Sequence, residues 1–316
     1  MMRRAPRPLA ATAAVLAALT LAVAGCGSDS DDAPTPTATP SASTAARFPV
    51  TVGALTLDKR PEKIVSLSPA ATETLFAIGA GDQVVAVDNN SNYPPEAPKT
   101  DLSGFQPNAE AIAKKDPDLV VLSNDLNKIV DQLGQLKIPV YLAAAPKELP
   151  QTYQQVSELG ALTGHPEEAA AVVQKMTTAV GDAMRAVPKR TTRPTYYYEL
   201  GEELYSATSK TFIGSLFTMA GLTNIADAAD ADGSKGGYPQ LSEEFIVKAD
   251  PDFVFLADTK CCGQSPATVK ARSGWANLTA VKQNQIVPLD DDIASRWGPR
   301  VVDLLKTIVD ATKAAT

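Results

Sequence analysis

The chain has 316 residues, 44% of them hydrophobic, with 24 Pro and 19 Gly, enough for two ordinary domains or one large bilobed one and unlike a disordered chain. Twenty-nine Lys and Arg against 36 Asp and Glu leave a formal charge of −7, which argues against a general nucleic-acid binder, because affinity for phosphate backbones rests on clustered cations. One histidine, His165, and three cysteines, Cys26, Cys261 and Cys262, limit the metal sites and His-dependent catalytic sites that can be built.

Arg3, Arg4 and Arg7 precede an apolar run from Leu9 to Ala24 that ends in Val23-Ala24-Gly25-Cys26. As a helix this run reaches roughly 24 Å, short of the ~30 Å hydrocarbon core of a bilayer. A basic start, a short apolar stretch and small residues before a cut site describe a secretory signal, so 1–26 is read as a signal peptide. Its end resembles the bacterial lipobox, which makes Cys26 the lipidated first residue of the mature chain; an ordinary signal with an incidental cysteine is the alternative. The export route, general or twin-arginine, stays open. Without these three arginines 26 cations face 36 acids, and the mature charge is −10. Residues 27–47 carry no aromatic or large aliphatic side chain and are read as a disordered tether, spanning about 25 Å as a flexible coil.

From Phe48 the pattern becomes regular. Strands are predicted at 63–68, 84–88, 118–123 and 139–143, with helices at 69–78, 108–115 and 128–136 between them. Strands separated by single helices imply a mostly parallel sheet, and an α/β lobe over 48–150. Between Leu149 and Val187 the strand signal vanishes. Gly164-His165-Pro166 interrupts this segment, but Pro166, Glu167 and Glu168 suit a first helical turn. Val173, Met176, Val180, Met184 and Val187 recur at spacings of three and four, an apolar stripe whose methionines are assigned to core packing. Residues 151–190 are thus a helical backbone between lobes. Alternation resumes over 191–316, with strands at 195–200, 252–257 and 285–289 and helices at 211–220, 242–249 and from Pro299 onward. Within Tyr196-Tyr197-Tyr198 neighbouring side chains face opposite sides of a strand, which assigns the run to sheet packing. The fold class is α/β: two α/β lobes joined by a long interlobe helix, with a ligand cleft between the lobes.

Three segments of the first lobe carry a resemblance: Pro61-Glu62-Lys63-Ile64-Val65-Ser66-Leu67-Ser68-Pro69-Ala70-Ala71-Thr72-Glu73-Thr74-Leu75, Tyr93-Pro94-Pro95 and Asp116-Pro117-Asp118-Leu119-Val120. The second lobe adds Tyr238-Pro239-Gln240-Leu241-Ser242-Glu243-Glu244, Ala249-Asp250-Pro251-Asp252 and Arg296-Trp297-Gly298-Pro299-Arg300. From Phe48 to the C-terminus the chain resembles the ABC-importer substrate-binding proteins for vitamin B12 and ferric siderophores, the class III periplasmic binding proteins with a helical backbone between lobes. The resemblance implies a non-catalytic, lipid-anchored monomer on the extracytoplasmic face of the membrane, with no cofactor. It would capture a ferric siderophore or a corrinoid and hand it to an ABC permease dimer.

It also implies ligand contacts at Tyr93, Phe105 and Tyr238, with a polar pair at Asp292 and Arg296. Ser123-Asn124 and Leu200 stand where B12-binding members have further aromatics. For an anionic chelate, Arg296 with Lys210, Lys235 or Lys260 could supply cations, although plain surface charge also explains the lysines. Glu73 and Glu244 match the exposed acids, one per lobe, that pair with permease arginines. Helix-end stabilisation of 0.3–1 kcal/mol each accounts for both acids without a partner.

Asp290-Asp291-Asp292 invites a hard cation, but three consecutive residues leaving a strand cannot all face one ion. Direct Zn or Mn binding is the alternative function; such carriers use clustered histidines, and here there is only His165, read as a residue that opens a helix. A hydrolytic Ser-His-Asp set would have to recruit His165, and no Gly-x-Ser-x-Gly elbow surrounds any serine. Cys261 and Cys262, adjacent and in an oxidising compartment, are either two free thiols or a vicinal disulfide that stiffens a cleft-edge loop.

Overall fold

A computed structural model describes residues 48–313. The predicted signal peptide, Cys26 and the tether lie outside the described residues. The body opens with an antiparallel pair, β1 (Val50–Val52) and β2 (Leu55–Leu57). Then come β3 (Ile64–Leu67), α1 (Pro69–Ala77), β4 (Val84–Val87), α2 (Ala109–Ala113), β5 (Leu119–Leu122), α3 (Ile129–Gln135) and β6 (Val140–Leu142). Strands β4-β3-β5-β6 form one parallel sheet in that order. Side chains alternate across it. Val65, Leu67, Val120 and Leu122 bury against Ile112, Ile129 and Leu133 of α2 and α3. Ile64, Leu119 and Val121 face Leu75 and Ile78 on the α1 side. A sheet covered on both faces explains why these strands read as continuous apolar runs.

The helical segment divides into α4 (Leu149–Thr163) and α5 (Pro166–Arg185). Gly164, at φ 83°, ends α4 in a left-handed conformation that glycine adopts without steric cost, and Pro166 starts α5. The buried stripe of α5 is Ala169, Met176 and Ala183; Met184, expected in the core, is 37% exposed. The repeat of seven places Ala183 at the next contact, so the following methionine turns outward.

The second lobe continues with β7 (Thr195–Glu199), α6 (Phe212–Met219), β8 (Thr223–Asn224), α7 (Glu243–Ala249) and β9 (Phe253–Leu256). Three short helices follow, α8 (Thr259–Cys262), α9 (Pro266–Ala271) and α10 (Thr279–Lys282), then β10 (Ile286–Pro288), α11 (Asp291–Ala294) and α12 (Val301–Lys313). Its parallel sheet has the order β10-β9-β7-β8. Counting strands from the first of each lobe, both sheets have the order 2-1-3-4. The tyrosine run packs as expected: Tyr196 and Tyr198 join Phe217 on one face, with Tyr196 stacked on Phe217 at 4.2 Å, while Tyr197 meets Trp275 on the other. The structure is therefore two α/β lobes bridged by long helices. The β1–β2 pair, β8 and the helices α8 to α11 were not anticipated; none exceeds six residues, too short for a periodic pattern.

Candidate functional site

In an open parallel sheet, ligands collect outside the carboxyl ends of the strands where the connecting helices change face. In the first lobe that point lies between β3 and β5, since α1 covers one face and α2 and α3 the other. The residues just past these strand ends, Ser68, Ser123 and Asn124, line a cavity of about 610 Å³. Phe105, 71% exposed, also lines it, together with Asp88, Asn90, Asp291, Asp292, Arg296 and Trp297. Asp88 is 3% exposed, and burial raises its carboxyl above the usual carboxylate range, against hydrogen bonds from Ser91 and Asn90 and the charge of Arg296. A side chain at Gly104 would place its Cβ 2.6 Å from Asp88 Oδ2, so glycine is needed there to admit this acid to the cleft floor.

Polar contacts join the lobes across the cleft. The Arg296 guanidinium donates to Asp292 Oδ1 at 2.6 Å, to Asn92 Oδ1 at 2.7 Å and to the Asn90 carbonyl at 3.0 Å. The Asn92 amide donates to Asp292 Oδ2 at 3.1 Å. Burial pushes the Asp292 carboxyl up, but the Lys260 hydrogen bond and the Arg296 charge outweigh it and hold the group below its ordinary value. A second clasp joins α1 to the segment before α12: the backbone N–H and Nε of Arg300 each donate to Glu73 at 2.7 Å. The Arg300 guanidinium also lies 3.6 Å over the Tyr93 ring.

Of the five expected ligand contacts, Phe105, Asp292 and Arg296 line one cavity, whereas Tyr93 and Tyr238 are not among the residues lining it. Tyr93 instead borders a different inter-lobe hollow of about 600 Å³ with Glu73 and Arg300. Tyr238 is 51% exposed on the second lobe. Glu244 is exposed in the first turn of α7, which Ser242 caps by accepting from the Phe245 N–H. Glu73 corrects the expectation of an exposed acid near a helix start: it lies beyond the first turn of α1, and it is only 4% exposed because Arg300 reaches across to hold it. Asn90, Asn92 and Arg300 were not anticipated. The polar run Asp88-Asn89-Asn90-Ser91-Asn92 directly after a strand was the available signal for the asparagines.

The three aspartates are each occupied within the chain. Lys260 Nζ bridges Asp290 and Asp292 at 2.7 and 2.9 Å, and Asp291 accepts from backbone N–H groups at the start of α8. Cys261 and Cys262, at the end of α8, are joined by a disulfide and exposed. Among the described residues no group of three or more His, Cys, Asp or Glu is arranged to hold a metal ion. His165 precedes α5 and its ring lies within hydrogen-bonding distance of Arg60 and Gln83. Burial and the Arg60 charge hold its pKa below the ordinary value. No described helix is long and apolar enough to cross a membrane.

The matching crevice of the second lobe, between β7 and β9, is filled by its own side chains. Glu199 at the end of β7 is fully buried and takes a two-pronged ion pair from Arg272, at 2.5 and 2.6 Å. Asp258, just past β9, is also fully buried, and neither carboxylate oxygen has a donor. Burial, followed by the charge of Glu199, raises the Asp258 pKa to about 7. Two adjacent buried carboxylates facing one arginine are relieved by keeping one proton between them.

Comparison with known proteins places these features in context. Residues 64–293 match the family described as periplasmic binding protein. A cobalamin-binding protein of Halobacterium salinarum is 35% identical over 283 residues, covering 85% of this chain and 76% of the relative. An uncharacterized ABC transporter substrate-binding lipoprotein of Bacillus subtilis is 28% identical, covering 84% of this chain and 85% of its own. The periplasmic vitamin B12 binding protein of Vibrio cholerae superposes with a TM-score of 0.69 at 26% identity, over 81% of this chain and 98% of that one.

Proposed function

The chain belongs to the periplasmic binding protein family, and on that premise we propose that it is an extracytoplasmic solute-binding lipoprotein that captures a corrinoid of the cobalamin type for an ABC importer. The observation that carries the ligand class is the charge pattern of the cleft. Arg296 is bonded to Asp292, and Lys260 to Asp290 and Asp292, so the cations beside the cavity are already neutralised by acids. Asp88 on the first lobe and Asp291 on the second add further acid around the same cavity. Such a surface repels a polyanionic ferric chelate and suits a large ligand edged with amide donors. Phe105 offers an uncovered aromatic face for its flat body.

The signal sequence ending at Cys26 supports a lipid anchor, and the substrate-binding role supports delivery to a membrane permease. Glu244 presents its carboxylate freely to such a partner. Glu73 becomes available for docking only when its contact with Arg300 opens. The functional test is a titration followed through Trp297, which lines the cavity. Cyanocobalamin is expected to give saturable quenching, and polyanionic ferric catecholate siderophores none. Saturable binding of an anionic siderophore with no response to cyanocobalamin refutes the reading.

A further inference from the structure

The short helix α8 is held mainly by charge. The carboxylate of Asp291 accepts from the backbone N–H of Thr259 at 2.9 Å, Lys260 at 2.8 Å and Cys261 at 3.0 Å. Lys260 Nζ donates to Asp290 and Asp292. Asp292 in turn accepts from Arg296 and from Asn92 of the first lobe. Direct contacts therefore run without a gap from the cysteine pair through Lys260 to both walls of the cleft. The pair lies at the end of α8, disulfide-bonded, with both residues exposed. A bond between adjacent residues closes a small ring that restricts the intervening peptide, and exposed sulfurs are open to thiolate attack.

We propose that Cys261 and Cys262 form a reversible thiol–disulfide site that sets the rigidity of the cleft wall, with a dithiol reductant as its co-reactant. One thiolate of the reductant attacks an Sγ, the S–S bond breaks, and the other Sγ leaves as a thiolate and takes a proton. The second thiol of the reductant then displaces the first cysteine from the mixed disulfide, so two electrons and two protons pass to the protein and the reductant leaves as a disulfide. With the ring open, the last turn of α8 loses its covalent restraint. The amides held by Asp291 open more often, and Lys260 no longer fixes Asp290 and Asp292. The site thus admits its ligand to a firm wall when oxidised and a loose one when reduced. Only the ligand half of this inference rests on the corrinoid reading.

The test uses the full chain, first alkylated without reductant, with the peptide containing both cysteines weighed. Hydrogen exchange at Thr259, Lys260 and Cys261 is then followed in the oxidised and reduced forms, and cyanocobalamin is titrated into each after the reductant is removed. Reduction is expected to speed exchange of these amides about tenfold or more while leaving β9 unchanged, and to weaken cyanocobalamin binding about three- to tenfold, both reversed on reoxidation. The Cys261→Ser, Cys262→Ser double variant should match the reduced form and ignore reductant. Uptake of two alkyl groups before any reduction overturns the proposal, as does exchange that reduction leaves unmoved. An equal response of the double variant to reductant also overturns it. If cyanocobalamin binds neither form, the corrinoid reading fails, and the exchange result alone decides the redox site.

Discussion

Raising the pH from 5 to 7 is expected to cost the folded protein roughly 2 kcal/mol through Asp258 alone. The folded-state pKa of this carboxyl is about 7, against an ordinary aspartate value of 3.8. Between those values the native state keeps a proton that the unfolded chain has released. Each pH unit in that window then removes about 1.4 kcal/mol of stability. The contribution is complete below the unfolded pKa and gone once pH passes the folded one. Asp258→Asn supplies a neutral group of the same shape, and it removes the titration. Urea denaturation of both proteins at half-unit pH intervals isolates the effect of this carboxylate pair, because groups remote from it cancel in the difference. The variant should gain roughly 2 kcal/mol relative to wild type between pH 5 and 7. Parallel profiles refute a shared proton, and a wild type that gains on the variant as pH rises requires an Asp258 pKa that folding lowers.

Two other substitutions probe the cleft. Arg300→Met strands the buried carboxylate of Glu73 and should destabilise the protein by about 3 kcal/mol in urea melts, with Glu73→Gln in the same background recovering most of the loss; a change within about 0.5 kcal/mol means the clasp contributes nothing. Phe105→Ala removes an exposed ring, so stability should move by less than about 0.5 kcal/mol while cyanocobalamin affinity falls about tenfold; unchanged affinity removes this residue from the site.

Local pattern carried the strands and helices because each rests on neighbours in sequence. Ile64, Val65 and Leu67 announce a strand buried on both faces, and Ser68-Pro69 announces the helix that follows. The resemblance named Phe105, Asp292 and Arg296, which the fold brings to one cavity, but gave no sign of what the polar pair touches. Glu73 reads as a free acid until Arg300, 227 positions away, is brought onto it. Tyr93 reads as a ligand contact, yet its ring lies against that same arginine. The aspartate triplet could be denied a shared ion from strand geometry, but its pairing with Lys260 and the α8 amides depends on tertiary placement. Glu199, Asp258 and Arg272 carry no local signal at all, since their meaning comes from the ends of two neighbouring strands.

The repeated 2-1-3-4 strand order gives the molecule two equivalent pigeonholes, of which one is open and the other stoppered by the Arg272 ion pair. One frame used twice thus gives two different interiors: a crevice that faces the cavity, and one spent on a buried ion pair that ties the end of β7 to α9.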